Sequence, residues 1–166
     1  MKNLYSLTNP QKSIWLTEQF YKGSNINNIC GALTIKQPLD FEKFKQAINL
    51  FVKNNDSFRI CLTLDNNEVK QYIKDFSYFD IDIIDLKDAQ AVKDYEHYLA
   101  SFPLFDFDKL LFKFVLFRLP NGHGGFIINV HHTISDSWSL GVTVNEIINY
   151  YSSLLNNKIY EPKKYS

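Results

Sequence analysis

The sequence predicts an α+β fold, a mostly antiparallel or mixed sheet with helices packed on its faces. Three observations predict it. Two segments carry apolar residues at helical spacing, residues 41–52 and 92–102, and each follows an aspartate able to cap it, Asp40 and Asp88. Residues 110–119 are apolar on both alternating faces apart from Lys113 and, near the end, Arg118, the pattern of a central strand. Residues 58–64 and 69–73 flank Asp65-Asn66-Asn67-Glu68 and read as a hairpin.

The remaining elements follow in order. Asn9-Pro10 starts a helix, with Asn9 as cap and Pro10 at the first helical position. Ile14, Trp15, Glu18 and Gln19 continue it, and Gly23 ends it. Residues 29–36 read as a strand rich in small and β-branched side chains. In the second helix Phe41, Phe44, Ala47, Ile48, Phe51 and Val52 share one face. Residues 81–84 form a short strand. The third helix turns Val92, Tyr95, Tyr98, Leu99 and Phe102 inward and stops at Pro103. Residues 120–125 make a turn, and 126–130 return as the partner of the central strand. Leu140, Val144, Ile147, Ile148, Tyr151 and Leu155 mark a long last helix running to about Asn156, and 158–166 form a polar tail.

Composition excludes several function classes. The 166 residues suit one domain or part of a larger one. An apolar share of 45% argues against disorder. Eighteen basic residues balance eighteen acidic ones, so the basic excess that nucleic acid demands is absent. The many aromatics fall at core spacing and read as packing rather than a base-stacking platform. No run of about 18 apolar residues offers a membrane span, and the N-terminus lacks the apolar stretch of a signal peptide. Cys30 and Cys61 lack metal-type spacing and read as reduced core thiols of a cytoplasmic protein.

The chemistry concentrates in His131-His132-Thr133-Ile134-Ser135-Asp136-Ser137-Trp138-Ser139. A histidine leaving a buried strand titrates near neutral pH, as a proton-transfer group must. Consecutive strand residues point to opposite faces, so His131 and His132 do not share one cavity. That argues against a two-histidine metal site, as does the missing third ligand. One histidine packs inside while the other faces a site. Asp136 either orients a histidine ring or pairs with a cation; Arg59, placed in an otherwise apolar strand run, is the candidate cation. A plainer reading stands beside this one: two turn histidines and a helix-capping aspartate. Ser135, Ser137 and Ser139 lack a Gly-x-Ser-x-Gly elbow, and serines at a helix start are caps more often than nucleophiles. Gly122, Gly124 and Gly125 open no helix, which disfavours a phosphate loop.

The same residues resemble the His-His-x-x-x-Asp-Gly motif of condensation domains from nonribosomal peptide synthetases, and Trp138-Ser139-Leu140-Gly141 extends the match. Residues 7–15, Leu-Thr-Asn-Pro-Gln-Lys-Ser-Ile-Trp, resemble the family's first motif through Gln11 and Trp15. Asn54-Asn55-Asp56-Ser57-Phe58-Arg59 resembles its Arg-His-Glu-x-Leu-Arg motif, with Arg59 retained, Asp56 in place of Glu and Phe58 in place of Leu. The three matches occur in the family's order. The family's glycine after the aspartate is Ser137 here, a substitution that could narrow a tunnel or shift the loop.

The resemblance implies a chloramphenicol acetyltransferase-like half. Residues 1–166 would be the N-terminal subdomain, with the C-terminal subdomain absent and the reaction tunnel between the two. A chain beginning at Met1 would start its polypeptide, taking its donor from another chain or as a free acyl thioester. The implied reaction joins a donor acyl thioester to the amine of a carrier-bound acceptor. No cofactor binds directly; substrates ride on the phosphopantetheine arms of carrier proteins, the implied partners. His132 is implied to face the tunnel and deprotonate or position the amine, His131 to be structural, and Asp136 to pair with Arg59 and hold the loop. Two other readings are carried: a condensation-like module that recruits a partner without catalysis, and an epimerising relative.

Overall fold

The computed structural model describes residues 3–162, so Met1, Lys2 and the last four residues of the polar tail lie outside the described residues. Strand β1 (Tyr5–Ser6) leads into helix α1 (Asn9–Phe20), followed by β2 (Asn28–Ile35) and α2 (Phe41–Asn54). A 3-10 turn (Asp56–Arg59) precedes the hairpin β3 (Ile60–Asp65) and β4 (Glu68–Ile73). Then come β5 (Ile83–Asp85), α3 (Ala89–Ala100), β6 (Phe112–Arg118), β7 (Gly124–His131) and α4 (Ser137–Leu155). Two sheets result, β1-β4-β3 and β2-β7-β6-β5. The larger is mixed: β7 runs antiparallel to β2 and β6, while β5 runs parallel to β6.

The larger sheet is the middle of three layers. On one face Phe126, Ile128 and Val130 of β7 meet α2 and α4 in one apolar cluster with Phe44, Ile48 and Ile147. The Phe44 ring stands edge-on to Tyr151 at 4.6 Å and 5.8 Å from Phe126. On the other face Ile127, Val115 and Phe117 meet Val92 and Leu99 of α3. Coverage on both faces explains why β6 reads as continuously apolar rather than alternating. Phe58 joins the layers to the small sheet's hairpin, with Phe51 at 4.7 Å and Phe112 at 5.5 Å.

Local chemistry accounts for most element ends. Asp40 and Asp88 cap α2 and α3 through bonds from the Lys43 and Ala91 amides. Asn66 and Asn67 both have positive φ, 49° and 63°, which a two-residue hairpin turn requires and asparagine tolerates. Gly125 is dictated by close approach, since a Cβ there would lie 1.8 Å from the Leu33 carbonyl oxygen.

Several expectations need correction. Helix α1 is capped by Thr8 rather than Asn9, in a reciprocal box in which Gln11 Oε1 accepts the Thr8 amide at 2.9 Å. Asn9 and Pro10 are the first helical residues. Phe58 and Arg59 lie in the 3-10 turn, not in a strand; the chain straightens only at Ile60. Tyr98 and Phe102 are half-exposed, edge-on to one another at 4.8 Å, at the end of α3.

Candidate active site

Strand β7 runs through the centre of the larger sheet and delivers His131 and His132 at its end. The His131 amide donates to the Leu111 carbonyl at 2.8 Å, and the His132 amide to the Asn27 carbonyl at 2.8 Å. The backbone of the pair is thus pinned from both sides. The side chains then part: His131 is the last residue of β7, and His132, the first of the turn, continues the strand's alternation. His131 is 1% exposed, whereas His132 faces solvent.

The His131 ring sits in a closed polar set. Its Nδ1 accepts the Thr133 amide at 3.2 Å and lies 2.8 Å from the Thr133 hydroxyl. That acceptor role leaves the proton on Nε2, which points at Glu18 Oε2 at 3.2 Å. The same carboxylate oxygen accepts Asn27 Nδ2 at 2.7 Å. Burial pushes the His131 pKa below its ordinary value, against the pull of Glu18. Phe105 covers the ring at 5.6 Å, and Trp15 and Phe107 complete the aromatic lid around Phe105.

His132 borders an open depression of about 320 Å³ between the start of α1 and the His132–Asp136 turn. Thr8, Gln11 and Ile14 form one wall; Thr133, Ile134, Ser135 and Ser139 form the other. Gln11 ties the walls together, donating from Nε2 to the Thr133 carbonyl at 3.3 Å and to Gln71 Oε1 at 2.9 Å. An apolar groove of about 360 Å³ lies farther along α4, between Leu140, Gly141 and Val144 and the β2 residues Gly31, Ala32 and Leu33. A depression of about 920 Å³ beside Tyr5, Tyr72 and Lys74 holds none of the expected site residues.

Asp136 is the cap of α4, accepting the Ser139 amide at 2.7 Å. That bond, first among its causes, holds the carboxyl below the usual carboxylate range, with a smaller contribution from His132. The expected pairing of Asp136 with Arg59 is not formed. Arg59 pairs with Asp56, three residues upstream in the 3-10 turn, and donates to the Lys74 carbonyl at 3.2 Å. A partner within one turn costs little chain ordering, and it prevails over one at the far end of the sequence. Ser137 is exposed, begins α4 and has no positive φ, so serine fits where the related motif has glycine. The Ser135 hydroxyl donates to the Asp136 carbonyl at 3.4 Å. Among the described residues no group of three or more His, Cys, Asp or Glu is arranged to hold a metal ion.

Sequence reasoning misses Glu18 and Asn27 as parts of the site. Glu18 reads only as a continuation of α1, although a helical signal exists: Gln11, Trp15 and Glu18 recur at spacings of four and three, on one face. Asn27 lies in a polar loop with nothing to distinguish it from its neighbours.

Comparison with known proteins gives a consistent picture. The Condensation domain family model matches residues 1–166. Surfactin synthase subunit 1 of Bacillus subtilis (strain 168) is 37% identical over 159 residues, covering 90% of this chain and 4% of that protein. Tyrocidine synthase 3 of Brevibacillus parabrevis is 26% identical over 151 residues, 91% of this chain and 2% of that protein. The fold superposes on the starter condensation domain of rhizomide synthetase with a TM-score of 0.89 at 18% identity, over 99% of this chain and 41% of that one. The first condensation domain of the CDA synthetase gives 0.87 at 18%, over 96% and 42%. The chain therefore spans less than half of these solved domains and a few per cent of these synthetases.

Proposed function

The chain belongs to the condensation-domain family, and on that premise we propose that residues 1–166 supply one half of an amide-forming site, the N-terminal subdomain of the domain. The observation that carries this reading is the exposed His132 ring at the edge of the α1 depression, beside a twin histidine locked inside. An acceptor α-amine attacks the carbonyl of a donor thioester only after losing a proton. A C–N bond forms, the C–S bond breaks, and the amine proton ends on the departing thiol or solvent. His132 accepts or orients that proton, and holding two tethered substrates end to end supplies much of the rate.

The other residues act through position. His131 anchors the strand end. Asp136 fixes the start of α4 and, with Ser137, the path of the turn. Arg59 ties the 3-10 turn to the small sheet. The groove along α4 offers an apolar wall to the donor's acyl group. The partners are carrier-protein domains bearing phosphopantetheine arms and the second subdomain that closes the tunnel; no cofactor is held by this chain itself. No helix among the described residues is long and apolar enough to cross a membrane, and the cysteines Cys30 and Cys61, not joined in a disulfide, suit a cytoplasmic setting.

The test is His132→Ala in the full-length protein, with product formation from carrier-loaded donor and acceptor followed by mass spectrometry. A loss of roughly 10²- to 10⁴-fold in kcat is expected of a lost proton-transfer group. Unchanged condensation would end the catalytic reading of His132, and a module that only recruits a partner would keep its function in this variant.

A further inference from the structure

The buried carboxylate of Glu18 lies outside the depression beside His132 yet is linked by hydrogen bonds to both histidines. Its side chain is 4% exposed. Oε2 faces His131 Nε2 at 3.2 Å and accepts Asn27 Nδ2 at 2.7 Å. Asn27 in turn receives the His132 amide on its own carbonyl at 2.8 Å. One oxygen atom thus holds the ring of the first histidine directly and the backbone of the second through a single intervening residue. On the far side Thr133 closes the ring with 3.2 and 2.8 Å contacts to His131 Nδ1.

We propose that Glu18, acting with Asn27, is a positioning residue for His132, setting the height and direction at which that ring meets the acceptor amine. This rests on the reading of His132 as the amine-facing group. The reasons are geometric. His132 itself makes no side-chain hydrogen bond among the described residues, so its ring is placed by its backbone and by the neighbours that fix that backbone. Among these are the Asn27 carbonyl and the locked His131, and Glu18 bonds the side chains of both residues. Carrying a buried carboxylate is costly unless it is satisfied, and here its hydrogen-bonding capacity serves the site's own strand end. A displacement of about 1 Å at a reacting group costs on the order of 10²-fold in rate, so a clamp of this kind acts on turnover rather than on substrate capture.

The experiment uses the full-length protein and steady-state condensation with carrier-loaded substrates. Glu18→Leu is expected to lower kcat by roughly 10- to 100-fold, the range for loss of a group that orients a ligand, with KM for both substrates little changed. Glu18→Gln keeps an oxygen able to accept both bonds and is expected to recover most of that loss. In a His132→Ala background Glu18→Leu is expected to cost little more, because residues acting through one group are not additive. Thermal unfolding confirms that each variant is folded at the assay temperature. Should Glu18→Leu fail to fold, Asn27→Ala and Thr133→Val each remove one member of the same set and carry the same readouts. Folded variants that keep wild-type kcat while His132→Ala is inactive would overturn the proposal and leave the role of His132 intact. So would a full further loss in the double variant, which marks a structural role alone. Retained activity in His132→Ala would instead overturn the reading of the site, and this proposal with it.

Discussion

At the residue scale the His-His pair divides its labour by burial. His131 is buried and neutral, so an unfolded chain takes up a proton on it more readily than the folded one does. Its stabilising contribution is complete above the unfolded pKa of about 6.5 and is lost as pH falls toward the lowered folded value. The unfolding midpoint of the chain in urea is therefore expected to drop between pH 7 and pH 5. Replacement of His131 by Gln should flatten that part of the profile while lowering stability at pH 7; a profile unaltered by the replacement would contradict this. The division between the two histidines is legible in the sequence because strand alternation is a strict rule. The partner of Asp136 is not. The apolar run around Arg59 suggests a strand, but the 3-10 turn brings the residue back onto Asp56, and a carboxylate three residues away is a nearer partner than one 77 positions on. Ser137 shows the same limit: glycine is required where φ is positive or another backbone approaches closely, and Ser137 has no positive φ and is exposed. On the proposed reading, Ser137→Gly is expected to leave condensation unchanged and to cost the fold no more than about 1 kcal/mol, the ordinary helix penalty of glycine.

At the element scale the sequence marks where helices begin better than where they end. Thr8, Asp40, Asp88 and Asp136 each cap a helix with their own oxygen, a local interaction written within three residues. The end of α3 is satisfied from far away. Asn129 Nδ2 donates to the Leu99 carbonyl at 2.8 Å, Asn25 to Ala100 at 3.0 Å, and Asn28 to Phe102 at 2.6 Å. No pattern near residue 100 announces these partners, because they belong to β7, to the first residue of β2 and to the loop before it. Asn129 is fully buried in a strand that otherwise reads as apolar, and its one amide bond locks α3 onto the sheet. Asn129→Ala removes that bond and opens a small void, but it also removes an Oδ1 with no partner among the described residues, and the Leu99 carbonyl keeps the Phe102 amide at 3.4 Å. A loss of about 1 kcal/mol is expected, the net worth of one hydrogen bond. Urea unfolding followed by far-UV circular dichroism measures it, and an unchanged midpoint would show that the Phe102 amide alone suffices for the Leu99 carbonyl. Gly125 reads as part of a turn, yet it stands inside β7. The reason is a backbone approach from β2 that only the folded sheet reveals.

At the scale of the whole molecule, the fold class, the mixed sheet and its helical faces follow from periodicity, whereas the openness of the site follows from what the chain does not cover. The depression beside His132 has a floor and two walls, drawn from α1 and the start of α4, and its remaining side meets solvent. Trp138, at the first turn of α4, is 83% exposed. A thioester and an amine brought to such a half-open site would stay hydrated and unaligned, and the gain from proximity would be forfeited. The isolated 166-residue chain is therefore expected to unfold cooperatively in urea yet to form no amide product from carrier-loaded substrates. On the proposed half-site reading, addition of a second condensation subdomain, expressed separately, is expected to restore product only with His132 intact. Condensation by the isolated chain would show that its own walls suffice to align both substrates, and the half-site reading would then give way to that of a complete catalyst.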